Sequence, residues 1–216
     1  MTEQTVIKQP QMAVRIEGKE ERPSIRKMGG TYFYSSSITG NKNVFVTPQY
    51  MDLLVNAFKM AEIKQDVKNI AYSIMPNHFM WVFKLSDEKD NPVEAYSELK
   101  KNVAFEIIKN LFEESKDENV NFPLYDIFEN NERVVRSNPR KILWTFKQKA
   151  KEIGEGRYKV FEKRSRLFLV DDQEKLMKNI KYVYNSPVRD RWQLVEKAEE
   201  YPYLFVSEEY LDKIAD

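Results

Sequence analysis

The chain has 216 residues, with 35 Lys+Arg against 34 Asp+Glu, one His and no Cys. Its 42% hydrophobic and 13% aromatic content excludes disorder throughout, and no window approaches the roughly 20 apolar residues that span a bilayer. Without Cys there is no disulfide framework, thiolate nucleophile or zinc–thiolate site, and a single His excludes a His–His metal pair, so a soluble cytoplasmic protein with no membrane partner is expected.

Residues 1–28 are polar, without sustained period, and read as a flexible arm. One domain is then expected over 29–205, with a helical or irregular insertion around 94–139 and a C-terminal tail at 206–216. The β-branched and aromatic run from Gly30 to Ile38 predicts a strand. Thr47-Pro48 predicts an N-cap with Pro at N1, opening a helix whose apolar side carries Met51, Leu54, Val55, Phe58 and Met60. Two strands follow, Asn69 to Met75 and His78 to Leu85, joined through Pro76-Asn77. A helix is predicted from Val93 to Phe112, then a polar, Asn-rich connection at 114–137. Asn138-Pro139 begins a basic helix to about Ile153, ended by Gly154 and Gly156. Tyr158 to Val170 alternates and predicts a strand; Asp171-Asp172 caps a last main helix that stops near Ser186-Pro187. The order predicts an α+β, ferredoxin-like sandwich: a mainly antiparallel sheet with helices packed on one or both faces.

Charge is segregated. From Arg133 to Phe168 there are 12 Lys+Arg and three acids, giving +9, against −8 for the rest of the chain. Arg140, Lys141, Lys147, Lys149, Lys151, Arg157, Lys159, Lys163, Arg164 and Arg166 are candidate phosphate contacts. The interleaved Trp144, Phe146, Tyr158 and Phe161 could stack on unstacked bases. A solvated helix face accounts for the same charges about equally well.

The sole His follows a Pro-Asn turn and opens a strand. Alternation places His78 and Met80 on one face and Phe79 and Trp81 on the other. In the last main helix Leu176, Ile180, Val183 and Tyr184 form the expected apolar stripe. Tyr182 falls on the other side, with Lys178 one turn before and Ser186 one turn after. A helix-borne tyrosine beside cations can act as a nucleophile, because a cation stabilises its phenolate. Packing remains the commoner role for any one of the 12 Tyr.

Met75-Pro76-Asn77-His78 and the apolar strand after it resemble the histidine motif of single-tyrosine HUH transposases. The nearer likeness is to the REP-associated tyrosine transposases and their small insertion-sequence relatives. Tyr182-Val-Tyr-Asn-Ser-Pro187-Val188 is similar to that family's Tyr-Ile-x-x-Asn-Pro-Val. Gly29-Gly30-Thr-Tyr-Phe, Phe146-Lys147 and Trp192 to Tyr203 agree in order, so the resemblance covers about Gly29 to Tyr203. It implies nicking and joining of single-stranded DNA beside REP-like hairpins, through a 5′-phosphotyrosine, by a monomer or homodimer and with Mg²⁺ or Mn²⁺. By resemblance Tyr182 matches the nucleophile and His78 the first metal ligand. The family's second His is Met80 here, and its Asn or Gln one turn after the tyrosine is Ser186, with Asn185 as a weak substitute. A thioether is a poor ligand for a hard cation. The resemblance therefore leaves open an active transposase and a catalytically defective, domesticated DNA-binding relative. A protein-interaction α+β domain is a third reading.

Overall fold

The computed structural model describes residues 26–116, 128–129, 132–133, 138–189 and 192–214. The expected arm up to residue 25 and most of the Asn-rich connection lie outside the described residues. In chain order the elements are β1 (Thr31–Ser37), α1 (Pro48–Gln65), β2 (Val67–Met75), β3 (His78–Leu85) and α2 (Pro92–Lys116). The two-residue strands β4 (Phe128–Glu129) and β5 (Glu132–Arg133) pair with each other. Then come α3 (Pro139–Ile153), β6 (Arg166–Val170), α4 (Gln173–Tyr184), β7 (Leu204–Val206) and α5 (Glu208–Ile214). Five strands form one sheet in the order β6-β1-β3-β2-β7, with every neighbouring pair antiparallel. The expectation of an α+β fold on a mainly antiparallel sheet is met.

The central strands β2 and β3 are buried along nearly their whole length because helices cover both faces. On β3, Phe79, Trp81 and Phe83 point into a large core closed by Leu54 and Phe58 of α1, Leu99, Val103 and Ile107 of α2, and Ile142 and Phe146 of α3. Met80 and Val82 point the other way, into a smaller core closed by Leu176, Ile180 and Val183 of α4. Each fully buried aromatic in the larger core is worth roughly 1.5–3 kcal/mol of transfer free energy. One polar group enters that core with its partners: the Trp81 indole donates to Asn69 Oδ1 at 2.7 Å, and Asn69 Nδ2 donates to the Phe58 carbonyl at 3.0 Å.

Several local expectations change. Thr47 does precede α1, but its hydroxyl makes no cap, and the Pro at N1 starts the helix without it. Met60 is exposed rather than on the apolar side. The basic helix ends as expected, because Gly154 adopts φ +67° and its N–H closes on the Ala150 and Lys151 carbonyls. Asp172 caps α4 by accepting from the Lys175 N–H at 2.7 Å. Tyr184 packs, partly buried, against the core of Leu176, Ile180 and Val183 as expected, and its hydroxyl donates to Glu199 at 3.1 Å.

Of the single strand expected from Tyr158 to Val170, only Arg166–Val170 forms a strand, with Phe161 in an isolated bridge. Ser35 stands opposite Arg166, whereas Ile38 bridges Phe161, so three steps from β1 to Ile38 answer five on the opposing segment. The surplus residues, among the charged run Glu162-Lys163-Arg164-Ser165, bulge out of register. Such bulges bend a strand and re-aim its side chains. Beyond 205, Val206 still pairs with Ala71, and α5 follows it.

Candidate functional site

Strand pairing builds the floor of the site. Across the sheet Arg166 (β6), Ser35 (β1), Met80 (β3) and Ser73 (β2) stand in one cross-strand row. The next row is Ser37, His78 and Met75. A period of two in every strand puts both rows on the face covered by α4. That helix ends at Tyr184, so it roofs the first row and leaves the His78 end open.

Two adjoining concavities result. One, of about 250 Å³, is lined by Met75, His78, Met80, Tyr182, Ser186, Arg189 and Trp192. The second, of about 300 Å³, is lined by Phe33, Ser35, Ser37, Asn41, Asn77, His78, Met80, Arg164, Arg166 and Tyr182. His78, Met80 and Tyr182 are their common wall. The expected juxtaposition of the strand histidine and the helix tyrosine is therefore present.

Each wall residue is held by identifiable contacts. His78 Nδ1 lies 2.8 Å from Asn77 Oδ1, an acceptor, so the imidazole donates there and Asn77 fixes its orientation. The Trp192 ring sits 6.3 Å from the imidazole, centroid to centroid. Tyr182 is 40% exposed, and its ring leans on Phe33 at 6.2 Å. The Arg189 guanidinium stands 4.8 Å over the same ring, with Nη2 3.5 Å from the Tyr182 carbonyl. A cation over a ring face is attracted by its quadrupole.

The resemblance assigns ligand positions to Met80, Ser186 and Asn185, and the structure gives each a different occupation. Met80 is 2% exposed and packs with Phe33, Val82 and Ile180. The Ser186 hydroxyl donates to the Val183 carbonyl at 2.7 Å and shares a hydrogen bond with Ser73 Oγ at 2.8 Å. It pins the end of α4 to β2. Asn185 lines neither concavity; its Nδ2 donates to the Lys181 carbonyl at 2.9 Å.

A hard divalent cation needs several oxygen or imidazole donors and negative charge. Among the described residues the two linings offer one imidazole, two thioethers, the neutral hydroxyl and amide oxygens of Ser35, Ser37, Ser186, Tyr182, Asn41 and Asn77, and three guanidinium groups, without an Asp or Glu. Among the described residues no three His, Cys, Asp or Glu side chains form a metal-holding group. The described residues do not fit Mg²⁺ or Mn²⁺.

The basic segment divides between the two faces. Arg164 and Arg166 reach the concavity with His78, through the bulge before β6. The helix α3 packs on the opposite side of the sheet, so Arg140, Lys141, Lys147, Lys149 and Lys151 do not line the concavities, nor do Arg157, Tyr158, Lys159 and Lys163. Lys149 pairs with Glu152 at 2.9 Å, and Lys159 and Lys163 both pair with Glu155, at 2.6 and 3.6 Å. Phe146 and Phe161, expected among the stacking rings, are core. Tyr158 is packed edge-on to Phe112 with Arg157 over it, while Trp144 is 63% exposed. Thr145 abuts Gly40, next to Asn41 on the rim of the second concavity, so α3 approaches that rim at Thr145.

Arg189 escaped the sequence reading, and Trp192 entered it only as part of the resemblance. Both lie just past the tyrosine helix, where helical spacing no longer indicates which side chains face the sheet. The available signal was an Arg directly after the Pro187-Val188 that ends the tyrosine motif.

No protein-family model and no curated protein sequence matches the chain. Among solved structures, the chain is similar to a REP-associated tyrosine transposase bound to a REP hairpin. The TM-score is 0.52 and the identity 13%, over 87% of this chain and 80% of that one. At that identity the likeness is one of fold.

Proposed function

We propose that this protein binds hairpin or single-stranded DNA as a transposase-like domain, across the face where His78 and Tyr182 meet. The observation that carries the reading is their convergence: two residues matching separate motifs line the same pair of concavities, flanked by Arg164, Arg166 and Arg189. The likeness of fold to a hairpin-bound tyrosine transposase supports it. So does the strand order β6-β1-β3-β2, which is consistent with a ferredoxin-like split unit extended at one edge by β7. The DNA track runs from the concavities over the Asn41 turn towards Trp144, a surface of cations with an exposed ring.

The donor set favours binding without metal-dependent cleavage, the domesticated form of the family. A second reading, strand nicking, rests on one observation: Tyr182 is exposed beside His78 with a guanidinium over its ring. In that step the tyrosine oxygen bonds to phosphorus, the bond to the 3′ oxygen breaks, and that oxygen takes a proton to become a 3′-OH. Incubation with hairpin-bearing single-stranded DNA and Mn²⁺ separates the readings. Retention of the hairpin on native gels without a covalent adduct on denaturing gels is the expected result. A Mn²⁺-dependent adduct lost in Tyr182→Phe would establish nicking, and no retention of hairpin or single-stranded DNA would overturn both.

A further inference from the structure

The site has an excess of positive charge where the resembling family places a divalent ion. Arg189 Nε is buried and has no hydrogen-bond partner among the described residues. Arg189 also lines the first concavity, so an anionic acceptor seated there would satisfy its guanidinium. Its guanidinium is held in place by the Tyr182 ring at 4.8 Å and by the Tyr182 carbonyl. On the other side of the His78–Met80–Tyr182 wall, Arg164 and Arg166 line the second concavity beside the hydroxyls of Ser35 and Ser37.

We propose that these three arginines form a metal-independent phosphodiester cradle, one phosphate lying against Arg189 and a neighbouring one against Arg164 and Arg166. The proposal rests on the DNA reading for its ligand, but the phosphate chemistry stands on its own. Guanidinium suits a phosphodiester because it is always charged, weakly hydrated and forked to match two phosphate oxygens. It supplies the positive charge that the thioether of Met80 and the internally bonded hydroxyl of Ser186 cannot recruit through an ion. A strand crossing the Tyr182 ridge is thereby held with its phosphate beside the phenol.

Two measurements test the cradle, the first made in EDTA and the second both in EDTA and in an EDTA-free Mg²⁺ buffer. The first is titration of the whole protein with inorganic phosphate, following the arginine Nε–H resonances. The Arg189 resonance is expected to shift and saturate, and no shift in it would overturn the cradle. The second is anisotropy of a labelled single-stranded oligonucleotide, with and without Mg²⁺. Affinity is expected to be equal in the two buffers and to fall about tenfold or more in Arg189→Ala. The log–log salt slope should become shallower by about 0.7, a change that a purely structural role would not produce. Arg189→Lys should recover the salt slope but not the affinity, because the fork is lost. Binding that requires Mg²⁺ and ignores Arg189→Ala would overturn the cradle while leaving the DNA reading intact. Phosphate shifts without oligonucleotide binding would do the reverse.

Discussion

Trp144 and Phe146 lie two residues apart on α3 and are expected to fail in opposite ways when cut to alanine. Phe146 is 0% exposed and sits between α3 and the sheet, so Phe146→Ala leaves a cavity and should cost about 3–5 kcal/mol. Trp144 is 63% exposed. Only about a third of the roughly 150–250 Å² that an aromatic can bury is removed from water, an upper limit near 2 kcal/mol at about 25 cal/mol/Å². Alanine is also the better helix former by about 0.5 kcal/mol, so the net cost of Trp144→Ala should be about 1 kcal/mol. At about 2–4 °C per kcal/mol for a chain of this size, Trp144→Ala should lower Tm by a few degrees and Phe146→Ala by about 6–20 °C. DNA affinity should reverse the ranking. A base stacked on Trp144 is worth about 1–3 kcal/mol, or roughly 5- to 150-fold in Kd, read by anisotropy at fixed salt on protein shown to be folded. Equal losses of Tm would refute the assignment of Trp144 to the surface. An unchanged Kd for Trp144→Ala would remove it from the DNA track.

If six of the basic residues between 133 and 168 touch phosphates, the log–log salt slope for single strands should be about −4; an affinity flat in salt would refute an electrostatic interface. Burial pushes Lys100 down to about 8 from 10.5, with Lys159 adding repulsion. Below pH 8 it is charged in both states and the fold bears the full desolvation cost; between 8 and 10.5 the folded form sheds its proton first and the cost fades. Lys100→Met should therefore be more stable than wild type by up to about 2 kcal/mol at pH 7, allowing for partial solvent screening, with the gap closing as pH rises; urea melts at pH 7 and 9.5 check this. Asn69→Leu should cost about 1–3 kcal/mol in denaturant melts, because it leaves the Trp81 indole N–H unpaired in the core and removes the side-chain bond to the Phe58 carbonyl. Met80→His puts a second imidazole on the face of His78, so Mn²⁺ should raise the Tm of this variant and not of wild type; adding Ser186→Asn should cost stability by breaking the bonds to Ser73 and Val183. A Mn²⁺ shift in the wild type would mean that its donors do fit the ion.

Local rules determined much of this protein from its sequence. Strand alternation alone put His78 and Met80 on one face and Phe79 and Trp81 on the other, because the side-chain period of a strand is two. Helix spacing put Tyr182 off the stripe of Leu176, Ile180 and Val183, and the Asp172 and Gly154 caps marked two helix ends. Each of these depends only on near neighbours in the chain. What the tertiary structure decided depends on pairings between distant segments. The basic run reads as one patch, yet α3 turns Phe146 into the core while the bulge at 162–165 carries Arg164 and Arg166 to the other face. Ser186 looks like a degenerate ligand in sequence, and only its meeting with Ser73 shows the hydroxyl spent on holding α4 to the sheet. Arg189 has no periodic element to orient it, so its buried Nε beside Tyr182 follows from the packing of the turn after α4. Composition counts charges; packing across the sheet decides which of them share a surface.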